Sequence, residues 1–338
     1  MKSVIGLTVF GLLAARSLAS LPTYTLIDLG PCNQYDGPSI NASGHVAFTS
    51  AAGAAVWANG VATPVPLGIG NTGAKGINSF NDVAGYFNDS SPAARINGAT
   101  ITLSSYVVNG YARAVNDNRS VLIQSASGPG TYLWHGGSAV SLTGSGGVQG
   151  EGLNNLDQVV GEAQLGGVSN YRAYMWTNGV FTTLNPPGIP DNNFSAAYGI
   201  NDSGTIVGEY ELSSSARQPW RRAADGTFTL LGQPPSNDLV DPLAVNSSNL
   251  VVGFYRQTAG GYRAVVWDGA TAVPLTTYIN RPGWTLERAT GVNDAGQIVG
   301  SGTFGGVTHG FILNPVPAPS TAVVFMGGAA LAFRRRRA

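Results

Sequence analysis

The sequence predicts an all-β fold, a seven-bladed β-propeller built from four-stranded antiparallel blades. Three observations support this fold: a hairpin motif that recurs seven times, a period of 37 to 47 residues between its copies, and further strand-like segments after each copy. A repeated four-stranded unit of this length is typical of a propeller blade, which cannot bury both of its faces alone. We therefore expect residues 20–314 to form one domain.

The motif is clearest at residues 199–210, which contain the end of one strand, a four-residue turn and a return strand. Asn201 begins the turn, and Gly204 stands at its fourth position, where the backbone must be left-handed. Gly, Asn and Asp adopt that conformation most easily. The fourth-position residues of the seven turns are Gly44, Asn81, Arg119, Asp157, Gly204, Asn249 and Gly296. Arg119 is the exception, and we expect a strained or rebuilt turn there.

The residues after each motif turn predict the other strands of the unit. The return strands are apolar and β-branched, which suits burial on both faces. Many contain a glycine, such as Gly161, and this predicts close approach by a neighbouring sheet. Turns such as Asn59-Gly60 then predict a tight hairpin between the third and fourth strands. The third strands usually end in an aromatic residue: Trp57, Trp134, Trp176, Trp220 or Trp267.

The last copy of the unit lacks a fourth strand, because the C-terminal segment begins directly after Leu313. Residues 24–29 precede the first copy and have the pattern of an orphan fourth strand. We expect this N-terminal strand to complete the seventh blade and to close the ring.

Charge and cysteine content limit the function classes. Charged residues make up 11% of the chain and cancel to a net charge of zero, which argues against nucleic-acid binding by bulk electrostatics. The one cysteine, Cys32, excludes an intrachain disulfide. It is an exposed reactive thiol, the site of an intermolecular bridge, or a tolerated loop residue. His45, His135 and His309 fall at three different positions of the repeat, so no zinc site, and no cofactor, is predicted.

Residues 1–19 have the pattern of a secretory signal peptide. They contain Lys2, an apolar run over residues 4–15 and the small-x-small cleavage motif Ser17-Leu18-Ala19. The alternative is a membrane anchor, but a span needs about 20 apolar residues and this run is shorter. We therefore expect the chain to be exported.

Residues 315–338 form a second targeting segment, with an apolar stretch over residues 322–333 that is too short for a permanent span and favours transient membrane contact. The segment resembles the PEP-CTERM sorting signal that an exosortase recognises, with Ala318 where that family usually has Glu. The resemblance implies an exosortase-type processing enzyme as partner and delivery to the cell surface or extracellular matrix. The residues that carry it are Val316, Pro317, Ala318, Pro319, Ser320, Arg334, Arg335, Arg336 and Arg337.

The internal copies resemble the extracellular HAF repeat family. The matching segments are residues 28–30, 199–204, 207–208 and His309-Gly310-Phe311. The resemblance covers most of residues 24–314 and implies an extracellular, β-propeller-like protein. The family brings no agreed activity and no site residues.

The candidate ligand site lies on the face of the ring that carries the long connections. A four-stranded meander places the motif turns on one face and residues 185–196, 232–242 and 276–288 on the other, where loops on a rigid scaffold often carry function. Trp284 lies outside the repeat position and either stacks on a sugar or plugs its loop onto the sheet. The predicted ligand-binding residues are Asp191, Asn192, Asn193, Asp238, Tyr278, Arg281 and Trp284.

The motif turns carry aspartates, one to a blade, at Asp117, Asp202 and Asp294. Bonds to backbone groups explain them better than a calcium site, which needs about six to eight converging oxygens.

The sequence therefore favours a non-catalytic matrix, adhesion or glycan-contacting protein, with extracellular polysaccharide as a partner. The alternative is a carbohydrate-active hydrolase or lyase with paired carboxylates on the long-loop face. The glutamates, which are few, show no obvious pairing along the sequence. They are Glu151, Glu162, Glu209, Glu211 and Glu287.

Overall fold

The computed structural model contains seven four-stranded antiparallel sheets arranged as the blades of a ring, so the predicted seven-bladed β-propeller is confirmed. Within the described residues one helical element is present, the 3-10 turn Leu275–Tyr278. The structure describes residues 22–33, 36–126, 130–143, 146–166, 170–186, 188–190, 193–213, 216–234, 237–258 and 260–316.

The chain begins with β1 (Tyr24–Pro31), and each of the first six blades then takes four consecutive strands. Blades 1 to 3 contain β2 (Ser39–Ile40), β3 (Val46–Ser50), β4 (Gly53–Ala58), β5 (Val61–Pro64), β6 (Gly73–Ile77), β7 (Val83–Phe87), β8 (Ser91–Ile96), β9 (Ala99–Thr102), β10 (Gly110–Val115), β11 (Val121–Ser125), β12 (Thr131–His135) and β13 (Ser138–Leu142). Blades 4 to 6 contain β14 (Val148–Leu153), β15 (Val159–Ala163), β16 (Arg172–Thr177), β17 (Val180–Thr183), β18 (Ser195–Ile200), β19 (Ile206–Ser213), β20 (Ala216–Arg222), β21 (Phe228–Leu230), β22 (Asn237–Val245), β23 (Val251–Gln257), β24 (Tyr262–Asp268) and β25 (Thr271–Pro274). Blade 7 contains β26 (Trp284–Val292), β27 (Ile298–Phe304), β28 (Val307–Pro315) and, as its outermost strand, β1.

The N-terminal strand closes the ring. β1 pairs antiparallel with β28 along its whole length. Its inward side chains Tyr24 and Leu26 are buried in the core between blades 6 and 7. Beyond the ladder, the Val316 amide donates to the Thr23 carbonyl oxygen at 2.8 Å. The expectation that the first strand completes the last blade is therefore confirmed.

The hydrophobic core is divided among the seven interfaces between consecutive blades, each with its own cluster of buried side chains. The third-strand tryptophans belong to these clusters, with Trp57 the partly exposed one. Trp220 is fully buried but does not hold the position expected from the repeat. It lies opposite Gly208, and Arg222 occupies the place opposite the first residue of the return strand. The indole of Trp220 therefore fills the space that Gly208 leaves.

The recurrent glycine of the return strands has a different cause from the one the sequence suggested. A Cβ at Gly161 would lie 1.9 Å from the carbonyl oxygen of Gln149, which is on the first strand of the same blade. The two strands pair through a bulge next to this contact. The expected approach of a neighbouring blade occurs instead at first-strand glycines such as Gly199, where a Cβ would lie 2.6 Å from the Leu243 carbonyl oxygen.

The seven motif turns share one geometry. All seven fourth-position residues have a left-handed backbone, including Arg119 at φ 63°. The Arg119 amide donates to the Asn116 carbonyl oxygen at 2.9 Å, so this turn is strained but not rebuilt. The Arg119 side chain pairs with Asp82, with Nε 2.9 Å from Oδ2, and lies over the Phe80 ring.

Both predicted targeting segments fall largely outside the described residues. The secretory signal lies in residues 1–21, and the sorting signal beyond Val316 lies in residues 317–338. Among the residues that are described, no helix has the length and apolar character needed to cross a membrane.

Candidate functional site

The first strand of each blade lines a central channel whose two ends differ. These strands run from the connections between blades to the motif turns, so each contributes residues to both ends. We call the end formed by the motif turns the turn end, and the opposite end, on the side of the long connections, the loop end.

The turn end is bordered by a closed ring of asparagines, one from each motif. The Nδ2 of each asparagine donates to the backbone carbonyl oxygen of the asparagine in the next blade, at 2.9 to 3.1 Å. The last bond runs from Asn293 to Asn41 and closes the ring across the two ends of the chain. All seven side chains are buried. The ring consists of Asn41, Asn78, Asn116, Asn154, Asn201, Asn246 and Asn293.

The turn aspartates reinforce this ring. Asp202 accepts hydrogen bonds from the backbone amide and the side chain of Asn155, at 2.8 and 2.9 Å. Asp294 accepts from the Ser247 amide at 2.8 Å. The bonds to backbone amides that the sequence suggested are present, but they reach the preceding blade instead of the aspartate's own turn. Across the described residues, no group of three or more His, Cys, Asp or Glu side chains is placed to hold a metal ion.

The loop end opens into a cavity of about 350 Å³ that is lined mainly by charged and polar side chains. Two ion pairs form part of its wall. Lys75 Nζ lies 2.7 Å from Asp36 Oδ1, and Arg113 pairs with Glu151 of the next blade. Arg288 also lines the cavity, and its guanidinium lies over two aromatic rings of blade 6. The cavity therefore suits a small polar ligand better than an apolar one.

Asp241 lines this cavity, and two carboxyl groups from the preceding two blades are near enough for their charges to interact with it. We call Glu162, Glu209 and Asp241 the acid cluster. Glu209 is 2% exposed, and its Oε1 accepts a hydrogen bond from the Tyr198 hydroxyl at 3.1 Å. Arg217 Nη1 lies 3.8 Å from the same oxygen. Two buried oxygens, Glu209 Oε2 and Asp241 Oδ1, have no hydrogen-bond partner among the described residues.

The environment of the acid cluster favours its protonated forms. Burial raises the pKa of Glu209 well above its usual range, and the charge of Asp241 adds to the effect. Burial raises the pKa of Glu162 to about 7, although the positive charge of Arg217 opposes the shift. Burial also raises the pKa of Asp241, against the charges of two nearby arginines. Burial therefore favours the protonated form of each of the three carboxyl groups in the acid cluster.

Trp284, one of the predicted ligand residues, is packed inside blade 7. It begins β26, is 8% exposed, and stacks on Phe304 with the ring centroids 5.3 Å apart. Phe311 contacts its edge, with centroids 6.4 Å apart. The arrangement corresponds to the second of the two interpretations of Trp284, a plug that holds its connection on the sheet.

The other predicted ligand residues are dispersed along the connections. Tyr278 ends the 3-10 turn and packs edge-on against Tyr24, and Arg281 is exposed. Asn193 donates through Nδ2 to the Glu211 carbonyl oxygen at 3.0 Å. Asp238 lies in β22, while residues 191 and 192 are outside the described ranges. Tyr278, Arg281, Asn193 and Trp284 do not line the loop-end cavity.

The residues that do line the cavity could have been found from variation within the repeat. The position three residues before each motif asparagine varies between blades, with Lys75, Arg113, Glu151 and Tyr198 in blades 2 to 5. The neighbouring positions of the repeat keep their character from blade to blade. A position that is charged and variable, in a strand whose other positions are uniform, indicates a residue that is not required for packing or closing the ring.

Cys32 lies near the junction of blades 7 and 1 and is a free, partly buried thiol. Burial, with the nearby charges of Asp28 and Asp36, raises the pKa of this thiol to about 12. A thiol with so high a pKa is a poor nucleophile at neutral pH, which favours the tolerated-residue interpretation.

Neither protein-family models nor curated proteins give a match to this chain. Several solved structures are similar to this chain. Virginiamycin B lyase from Staphylococcus aureus is similar with a TM-score of 0.55 at 14% identity, covering 87% of this chain and 100% of that chain. YCF48 bound to D1 peptide is similar with a TM-score of 0.55 at 14% identity, covering 90% and 100%. A streptogramin B lyase gives 0.54 at 13% identity, covering 86% and 98%. At such identities the similarity shows the propeller fold alone.

Proposed function

We propose that this protein is an exported, non-catalytic propeller that binds a hydroxyl-rich ligand, such as part of an extracellular polysaccharide, in the loop-end cavity. The observation that carries the proposal is the pair of buried, unpartnered carboxyl oxygens of Glu209 and Asp241 beside that cavity. An unsatisfied buried polar group destabilises a fold by about 1–3 kcal/mol. Each such atom therefore needs an explanation, and a ligand that supplies the missing hydrogen bond is one.

The chemistry of the cavity wall supports a sugar-like ligand. Each sugar hydroxyl both donates and accepts hydrogen bonds, so it can satisfy a carboxyl oxygen and a guanidinium group at the same time. Asp241, Arg288 and Tyr198 all contribute to the wall. A volume of about 350 Å³ falls at the lower end of the range for ligand pockets, roughly 300–1,000 Å³. A mono- or disaccharide unit fits this space.

The targeting segments support a location outside the cytoplasm. Residues 1–19 have the pattern of a secretory signal, and residues 315–338 resemble an exosortase substrate. We propose that an exosortase-type enzyme processes the C-terminal segment after transient membrane contact. The propeller would then act at the cell surface or in the extracellular matrix, where polysaccharide is present.

A glycan array followed by calorimetry on the purified protein tests this function. We expect binding to at least one oligosaccharide, and a loss of about tenfold in affinity, or about 1.4 kcal/mol, for Asp241→Asn. The matched control is Asp225→Asn, which changes an exposed hairpin aspartate away from the cavity. Silence across the array, or equal losses in both variants, would contradict the proposal.

A second candidate function, a carbohydrate-active hydrolase or lyase, is favoured by one observation. Burial raises the pKa of each carboxyl group of the acid cluster, and carboxyl groups with a raised pKa beside a cavity are typical of acid catalysts in enzymes. The test is incubation with the polysaccharides that bind, followed by assays for new reducing ends and for unsaturated sugars. Product formed by the parent and lost in Glu162→Gln would establish catalysis. Binding without turnover supports the non-catalytic role.

A further inference from the structure

Two cationic side chains of the loop-end cavity already have partners. Lys75 Nζ lies 2.7 Å from Asp36 Oδ1 and stands 4.7 Å from the centre of the Tyr111 ring. Arg113 pairs with the Glu151 carboxylate. Each of these cations is largely neutralised by its own carboxylate partner. The two ion pairs therefore present little net charge to a ligand in the cavity.

The acid cluster has fewer positive partners than negative groups. Three arginines have charges that act on the acid cluster. Arg113 is already paired with Glu151, which leaves Arg217 and Arg288. Arg217 is 3.8 Å from Glu209 Oε1 and lies over the Phe194 ring, and Arg288 is held over the Phe254 ring at 4.2 Å. Three carboxyl groups against two guanidinium groups leave one negative charge in excess when all are ionised.

The unpartnered oxygens place this excess charge at the cavity wall, because Asp241 lines the cavity and the hydroxyl of Tyr198, another lining residue, donates to Glu209. Glu209 is 2% exposed, and no donor among the described residues reaches its Oε2. The same is true of Oδ1 of Asp241, which lines the cavity. A primary ammonium group carries three donors and no acceptor. Its hydrogen bonds to carboxylates are charge-assisted and about twice as strong as neutral ones. It would satisfy both oxygens and relieve the repulsion within the acid cluster.

We propose that the loop-end cavity binds an amino sugar, with the protonated amine between Asp241 and Glu209. This proposal rests on the proposed function and names its ligand class. A metal ion fits less well, because the described acidic side chains do not converge as a metal site requires. An acidic sugar fits less well too, because it would add negative charge beside the acid cluster and would have to break the ion pairs of Lys75 and Arg113.

The test compares three disaccharides of similar size by calorimetry on the purified protein. They are the disaccharide of glucosamine, its N-acetylated form and cellobiose, at about pH 6.5, where a sugar amine is largely protonated. We expect the free amine to bind at least about tenfold more tightly than the other two. Glu209→Gln and Asp241→Asn should each remove this preference, and Asp225→Asn should keep it. Melting temperatures verify that each variant is folded.

The proposal also predicts proton release on binding. An ammonium group next to the acid cluster favours ionised carboxyl groups, so protons should leave Glu209 and Glu162 when the amine binds. Calorimetry in two buffers with different ionisation enthalpies measures the number released, which should fall towards zero with cellobiose. The charged groups that act on these two carboxyls are Arg113, Arg217 and Asp241, and the Tyr198 hydroxyl donates to Glu209. Arg288 acts on Asp241.

The outcomes separate this proposal from the proposed function. Equal affinity for cellobiose and the amine would overturn the amino-sugar proposal and leave a sugar-binding role in place. A preference for the amine that survives in both Glu209→Gln and Asp241→Asn would overturn the assignment of the amine to the acid cluster. Absence of binding by all three sugars would overturn the amino-sugar proposal, and the glycan array would then decide the proposed function separately.

Discussion

The two ends of the central channel are built by the same seven strands and yet have opposite properties. At the turn end one residue type repeats in every blade, and each asparagine donates to the next until the ring closes from Asn293 to Asn41. At the loop end the corresponding first-strand positions carry acids, bases and a tyrosine. Two buried oxygens there, on Glu209 and Asp241, have no partner among the described residues.

We infer that this difference separates stability from ligand binding within one repeat. Identical turns stabilise a ring because each copy completes the hydrogen bonds of its neighbour. A ligand site needs the opposite, because seven identical side chains around an axis would give a symmetric surface with no distinct position for a small, asymmetric ligand. The comparison therefore predicts that changes at the turn end lower stability and that changes at the loop end alter binding and pH dependence.

Removal of the closing strand should have the largest effect. A chain that lacks residues 22–31 loses β1, exposes the edge of β28 and removes the buried side chains of Tyr24 and Leu26. Each large buried side chain contributes about 2–5 kcal/mol, so we expect a loss above about 4 kcal/mol. Thermal unfolding followed by circular dichroism measures it, and removal of residues 1–21 alone is the control. A melting temperature within a few degrees of the parent would show that the ring does not depend on β1.

Asn201→Ala should have the next largest effect. The substitution removes the donor to the Asn246 carbonyl oxygen and the acceptor for the Thr205 amide, both in buried positions. We expect a loss of about 2 kcal/mol in the free energy of unfolding, measured by urea denaturation. The control, Asn118→Ala, removes an exposed asparagine bond of the same face and should change stability by less than about 0.5 kcal/mol. Equal effects in the two variants would remove the special role of the ring.

The acid cluster should make stability depend on pH in a defined direction. Burial raises the pKa of Glu162 from 4.5 to about 7, so the folded state holds this proton more tightly than the unfolded state. The contribution is fully present below the unfolded value and is lost as pH rises through the folded value. Relative to the parent, Glu162→Gln should therefore gain stability as pH rises from about 4.5 to about 7.

Melting temperatures of both proteins across this pH range measure the effect. Asp225→Asn, which alters an exposed carboxylate on a hairpin, should not gain stability in the same way. A constant difference between Glu162→Gln and the parent at all pH values would show that Glu162 does not titrate in this range.

Arg119→Asn should have the smallest effect. Asparagine adopts the left-handed backbone at φ 63° with less strain, which favours the variant. The substitution also removes a partly exposed ion pair with Asp82, and pairs of this kind contribute about 0.2–1 kcal/mol. The two effects oppose each other, so we expect a change below about 1 kcal/mol in urea denaturation. A loss above about 2 kcal/mol would mean that Arg119 stabilises the turn end as strongly as a ring asparagine does.

The turn end and the closing strand could be predicted from the sequence because their chemistry is local. The turn that begins at Asn201 requires a left-handed backbone at its fourth residue, and the glycine at position 204 meets this requirement. The position of β1 followed from the strand that the seventh copy lacks. The ring of asparagine bonds itself was not predicted, because it joins residues of different blades.

The acid cluster could not be predicted, because its residues meet only after the ring forms. Glu162, Glu209 and Asp241 lie in three different copies of the repeat, and nothing in their spacing indicates that they share a site. Trp284 was a candidate because it lies next to a long connection. The structure covers it with Phe304 from the adjacent strand, a contact that sequence periodicity does not reveal.

The most direct test of the account measures two properties of two variants, one from each end of the channel. Asn201→Ala should lower the melting temperature and leave the affinity for the glucosamine disaccharide unchanged. Asp241→Asn should lower that affinity by about tenfold and leave the melting temperature unchanged or higher, since burial already disfavours the charged form of this carboxyl. If both variants lose stability and affinity together, the two ends are not functionally separate and the account is contradicted.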